Sequence, residues 1–249
     1  MSKWLLVTII CIFINACSTS NGSKGYNSNE KKAELNLQLG VRYLEMGKLK
    51  TAKEKLGNAL NFDSDNAEIY NALGVLNERL KKYDVAREHY KQAISRDNDN
   101  ASINNNYGRF LCERGDYEAG KALLLQALAM PLNNRKWFAY TNIGLCEMRQ
   151  GQQQLAEGYF RQALQENRSY SPALFEMQKI SYRVGNYMSA RAFLERYLAV
   201  ANHNAETLWF AVQTERVLGN KELSEEYREK LLNQFPASKQ AQQLRTSIR

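Results

Sequence analysis

The chain has 249 residues, 44% of them hydrophobic and only three of them proline, with 34 Lys and Arg against 26 Asp and Glu for a formal charge of +8. Glu, Lys, Leu, Ala, Asn and Gln dominate, a composition that favours helix and is apolar enough for a real core. The basic residues are scattered among acids without a run of four, which argues against nucleic-acid binding.

At the N-terminus Lys3 precedes an eleven-residue, mostly apolar run, "WLLVTIICIFI" (4–14). A membrane-crossing helix needs roughly 20 apolar residues, whereas a secretory signal needs a core of about 7 to 15 followed by small residues, so 1–16 is expected to be a signal peptide. "INAC" (14–17) resembles the lipobox of bacterial lipoproteins. That resemblance implies cleavage before Cys17 and acylation of its thiol; the alternative is an ordinary secretory signal with a chance cysteine. A buried methylene contributes roughly 0.8 kcal/mol, so two or more acyl chains hold a protein firmly and the anchor is lipid, not helix. Ser18 after the cysteine, rather than Asp, implies by the same class resemblance the periplasmic face of the outer membrane. Export leaves DNA out of reach.

Residues 17–32 are expected to be a lipidated cysteine and a tether. The stretch "STSNGSKGYNSNE" (18–30) has no apolar periodicity, and a flexible coil of that length reaches roughly 20 Å.

From residue 33 the chain repeats. Gly40, Gly74, Gly108 and Gly144 are spaced 34, 34 and 36 apart, and Ala59, Ala93, Ala127 and Ala163 keep the same spacing. Gly47, Gly115, Gly151, Gly185 and Gly219 form a third series with Lys81 in its gap; Ala52, Ala86, Ala156 and Ala190 form a fourth, completed by Gly120 and Ser224. A 34-residue period with small residues at these offsets is the tetratricopeptide pattern, a helix–turn–helix unit. Gly40 and Ala52 belong where the two helices cross, Gly47 at the turn where a positive φ costs glycine nothing. Leu39, Tyr43 and Leu56 are expected to fill the space between helices. The fold class is therefore all-α, a right-handed superhelical solenoid of six repeats (33–66, 67–100, 101–136, 137–170, 171–204 and 205–238), with a polar capping helix over 239–249. The third repeat carries two extra residues around "MPLNNRKW" (130–137), where Pro131 ends its second helix.

Catalytic chemistry finds no foothold. "GDYEAGKA" (115–122) nearly spells a phosphate-binding loop, but it lacks the final Ser or Thr, carries Asp116 and Glu118, and follows no strand. The two histidines, His89 and His203, belong to no metal-ligand or triad spacing. No enzyme activity, cofactor or small-molecule substrate is expected. Of four cysteines, Cys11 leaves with the signal and Cys17 takes the lipid. Cys112 and Cys146 lie late in the first helices of neighbouring repeats, where they either form a disulfide in an oxidising compartment or remain two small buried thiols.

Tetratricopeptide arrays bind partners along the groove lined by their first helices. Its expected positions give an amide series, Asn71, Asn105, Asn106 and Asn142, suited to pairing with an extended peptide backbone. Farther along come Arg109, Arg149, Arg183 and Arg216 beside Phe138, Phe175 and Trp209. In the first repeat the groove positions are Leu37, Val41 and Leu44, expected to form an exposed apolar strip near the lipid that a partner, or the tether folding back, covers.

The segments "NNYGRFLCERGDYEAG" (105–120), "NIGLCEMRQG" (142–151), "ARAFLERYL" (190–198) and "LWFAVQTERVLGN" (208–220), with the lipobox and tether, resemble the outer-membrane lipoproteins of type IV pilus biogenesis, the PilF/PilW pilotin family. The resemblance implies a non-catalytic assembly factor that binds the pilus secretin subunit, helps it reach the outer membrane and multimerise, and supports the fibre. It also makes Cys17 the lipid site and matches Cys112 and Cys146 to the family's paired cysteines. The alternative is a lipoprotein adaptor of similar build that regulates cell-wall hydrolases or outer-membrane protein assembly.

Overall fold

The computed structural model describes residues 28–246. The signal peptide, Cys17, most of the tether and residues 247–249 lie outside the described residues. Thirteen helices, and among the described residues no strand, follow in order: α1 Ser28–Glu45, α2 Leu49–Phe62, α3 Ala67–Arg79, α4 Tyr83–Arg96, α5 Ala101–Glu113, α6 Tyr117–Ala129, α7 Lys136–Arg149, α8 Gln153–Glu166, α9 Ser171–Arg183, α10 Tyr187–Leu198, α11 Ala205–Val217, α12 Lys221–Gln234 and α13 Lys239–Thr246. The first twelve pack pairwise in chain order as six helical hairpins. Helix α1 starts at Ser28, so residues 28–32, assigned above to the tether, are its first turn.

The small-residue series has the physical role its spacing implied. A methyl on Gly40 would stand 2.6 Å from the Leu56 side chain, on Gly74 2.7 Å from the Tyr90 ring, and on Gly144 2.7 Å from Phe160. In the third repeat the helices come closer still: methyls on Gly108 and Gly120 would each meet the other's carbonyl oxygen at 2.7 Å. Leu56, Tyr90, Leu124 and Phe160, one per repeat, are fully buried. Leu39 and Tyr43 are only half-buried.

Every intra-repeat turn is closed in one way. The residues at 47, 81, 115, 151, 185 and 219 all have positive φ, five of them glycine and one Lys81 at 58°. The next N–H then donates back five residues, Lys48 to Tyr43, Lys82 to Asn77, Asp116 to Leu111, Gln152 to Glu147, Asn186 to Ser181 and Asn220 to Glu215, all at 2.8–2.9 Å. This 6→1 bond is the Schellman closure, which satisfies a helix-terminal carbonyl. Between repeats, asparagine caps the next helix: Asn66 Oδ1 accepts from Glu68 N, and Asn100 Oδ1 from Ser102 N.

Helix α6 ends at Ala129, just before Pro131, and the extra residues form a loop to Lys136 fastened by Asn133, whose side chain donates to Ala127 O at 2.7 Å. At the far end α13 buries Ala241 and Leu244 against Leu208, Val212 and Leu231, the expected cap in a shorter form. No described helix is long and apolar enough to cross a membrane.

Cys112 of α5 and Cys146 of α7 form a disulfide, with Cα atoms 5.4 Å apart. The break in the alanine series follows from the sulfur and the backbone together: a methyl at Gly120 would meet Cys112 Sγ and the Gly108 carbonyl oxygen, each at 2.7 Å.

Candidate functional site

The first helices α1, α3, α5, α7, α9 and α11 line the concave face. On it the four asparagines meet in pairs. Asn106 donates to Asn71 at 3.1 Å and Asn142 to Asn105 at 2.9 Å, so the amides staple α3 to α5 and α5 to α7. The amide row, expected from the sequence to pair with an extended peptide backbone, is thus already engaged between helices in part. Each pair uses one donor and one acceptor, and a primary amide has capacity for more. All four residues are half-buried, so the remaining valences stay within reach of a ligand.

Beside the pairs opens a pocket of about 390 Å³. Asn105 and Asn106 stand on one wall, Phe138 and Ala139 on the other, and the inserted loop with Leu132 and Arg135 closes the end. Leu132 is 94% exposed, and Arg135 lies over the Phe138 ring at 5.9 Å. The insertion was visible in the sequence; that its loop folds back over the groove to build a pocket wall was not.

Arg109 is not the free cation the sequence suggested. Its guanidinium bridges Glu78 of α3 at 2.7 Å and Glu113 of its own helix at 2.8 Å, and the Tyr90 hydroxyl donates to the same Glu78. Burial disfavours the Arg109 charge, but the Glu78 and Glu113 carboxylates outweigh it and raise its pKa; burial, then Glu78, raises that of Tyr90. This network locks neighbouring repeats. Arg149 is held loosely, 4.0 Å from Glu113, with 40% of its side chain exposed. Arg183 and Arg216 are exposed.

The aliphatic strip of the first repeat needs correction too. Leu37 and Leu44 are only 5% and 4% exposed, whereas Val41 is 38% exposed. Leu37 and Leu44 join the core with Ile69, Ala72, Leu73 and Leu76 of α3, so these two positions of α1 are consumed by the next repeat. What stays open is a shallow groove with Leu37 and Val41 on its floor and Glu34, Glu45 and Glu68 among its lining residues. Phe138, Phe175 and Trp209 are half-buried; Phe138 packs edge-on against Tyr170, and Lys179 lies 4.5 Å over Phe175.

No group of three or more metal-ligating residues occurs among the described residues. In the loop-like stretch 115–122, Gly115 is the turn glycine and Lys121 pairs with Glu118 and Glu147. Burial lowers the pKa of both histidines, and His203 lies beside Thr207 Oγ1 and the Tyr227 ring.

Three tetratricopeptide-repeat models match the chain, over residues 40–81, 78–139 and 139–170. The type IV pilus assembly protein PilF of Pseudomonas aeruginosa is 28% identical over 241 residues, 96% of each chain. A solved structure of Pseudomonas aeruginosa PilF superposes with a TM-score of 0.77 at 27% identity, covering 89% of this chain and all of that one. The crystal structure of PilW, described as a widely conserved type IV pilus biogenesis factor, gives a TM-score of 0.74 at 30% identity, covering 85% of this chain and 97% of that one.

Proposed function

This chain belongs to the tetratricopeptide-repeat family of type IV pilus biogenesis factors that includes PilF and PilW, and we propose that it acts as an outer-membrane pilotin. In this reading Cys17 carries the lipid, the solenoid hangs in the periplasm from a short tether, and its concave face captures an extended segment of the pilus secretin subunit. Catalysis has no part in it: the repeat fold is a scaffold, and the reading rests on binding alone. Confinement near the membrane raises the effective concentration of captured subunits, so each needs only modest affinity before they multimerise.

The observation that carries the reading is the end-to-end likeness to PilF, 96% of each chain. The paired amides and adjoining pocket support an extended peptide as the form in which the partner is held. A deletion strain tests it: secretin should remain monomeric and leave the outer-membrane fraction, with twitching lost, and a Cys17→Ala gene should fail to restore either. Normal secretin multimers in the outer membrane of the deletion strain would overturn it.

A further inference from the structure

The charges of the concave face are unevenly compensated along its length. Arg149, Arg183 and Arg216 stand in the last turns of α7, α9 and α11, one per repeat, so the solenoid stacks them in a column. The carboxylates on these helices already have bases of their own. Glu147 faces Lys121 at 3.4 Å, Glu176 and Glu206 share Lys179 at 2.8 and 3.6 Å, and buried Glu215 is held by Arg191 through two hydrogen bonds. For the column nothing comparable exists: Arg149 reaches Glu113 only at 4.0 Å, and neither Arg183 nor Arg216 has an ion pair among the described residues. The other half of the groove is different. Arg109 there is neutralised from two sides, Arg79 in the last turn of α3 donates to the Leu44 carbonyl oxygen, and the first-repeat groove has Glu34, Glu45 and Glu68 along it against a single Arg42.

From this polarity we infer that the segment held in repeats four to six is extended and acidic, and that Arg149, Arg183 and Arg216 read its carboxylates. The inference deepens the peptide-capture reading above and rests on it. Neighbouring packed helices lie about 9 Å apart, and an extended chain of polyproline-II form advances about 3.1 Å per residue and returns a side chain to the same face every third residue, so one acidic side chain in every three meets the column. Glu34 and Glu45 of the first repeat and Glu68 of the second repel the same segment, which fixes the half of the groove it enters. A cation in a helix's last turn also steadies the helix dipole. That role alone would show in stability and not in peptide affinity.

The test uses the full-length protein in detergent and a fluorescein-labelled synthetic peptide with Glu at every third position in a Ser/Ala background, beside its Gln counterpart. Fluorescence anisotropy should show the Glu peptide binding about tenfold or more tightly than the Gln peptide, weakening with salt. The triple variant Arg149→Gln/Arg183→Gln/Arg216→Gln should lose that preference while keeping its thermal midpoint. The equally discharged variant Arg161→Gln/Arg168→Gln/Arg196→Gln, whose sites line a hollow away from the first-helix groove, should retain it. Equal binding of the two peptides, no binding of either, or equal loss in both triple variants overturns the inference. The two readings fail separately: normal secretin multimers in a deletion strain would remove the pilotin role and leave the peptide preference standing, whereas loss of the preference with secretin still mislocalised on deletion would remove only the acidic segment.

Discussion

Removing the Cys112–Cys146 disulfide, by reduction or as Cys112→Ala/Cys146→Ala, should cost the fold about 3.8 kcal/mol. The bond spans 34 residues, and the chain-entropy relation for a loop of that length gives about 12.6 cal/mol/K, or about 3.8 kcal/mol near 25 °C. Domain stabilities run at about 5–15 kcal/mol, so this is a quarter of the total or more. Both sulfurs are buried among Leu124 and Ile143, so the double variant also loses packing and should fall slightly below the reduced wild type. Urea unfolding followed by circular dichroism, on oxidised, reduced and double-variant protein, measures the difference. Unfolding free energies for oxidised and reduced wild type that agree within about 0.5 kcal/mol would refute the reasoning, since they would mean the unfolded chain gains no freedom from the opened loop. Gly120→Ala supplies an internal check. Its methyl strikes the Gly108 carbonyl at 2.7 Å and the Cys112 amide nitrogen at 2.9 Å as well as the sulfur, so it should stay destabilising by about 1–3 kcal/mol with the cysteines gone.

Two substitutions elsewhere should stabilise. Gly57→Ala faces open space on α2 and should add about 0.5–1 kcal/mol by helix propensity, and Lys81→Gly should add up to about 1 kcal/mol by relieving a left-handed lysine; thermal midpoints of the two variants check both. In the first repeat Leu37→Asp and Val41→Asp should part company: the buried site loses about 3 kcal/mol or more, the exposed one stays within about 0.5 kcal/mol. If the two lose stability equally in urea, the division of that strip into core and surface is wrong.

The repeat architecture was legible because it rests on backbone requirements that leave little choice of residue. A close helix crossing demands Gly40 or Gly108, and a left-handed turn demands Gly47 or Gly115, so each need recurs at the period. Lys81 could be placed in its turn only by counting from its neighbours, since nothing in the residue itself announces positive φ. The groove was harder to read. Whether Arg109 is free depends on Glu78 and Tyr90, which arrive from other helices, and the pairing of Asn106 with Asn71 depends on how α3 and α5 sit side by side. Leu37 and Leu44 misled because their offsets face the next first helix in later repeats as well: at the Leu37 offset Asn71 reaches α5, and at the Leu44 offset Cys112 reaches α7. Leu132 and Arg135 gave no signal, as the return of their loop over Phe138 is a tertiary event.

In a stack of units that touch only their neighbours, opening can start at either end and run inward one interface at a time. The covalent rivet from α5 to α7 interrupts that zipper between the third and fourth units. Pulling on the array from α1, or thermal fraying at α13, would peel back one arm and halt at the rivet. The array therefore divides into two short springs clamped at a common joint, each able to flex without disturbing the packing of the other.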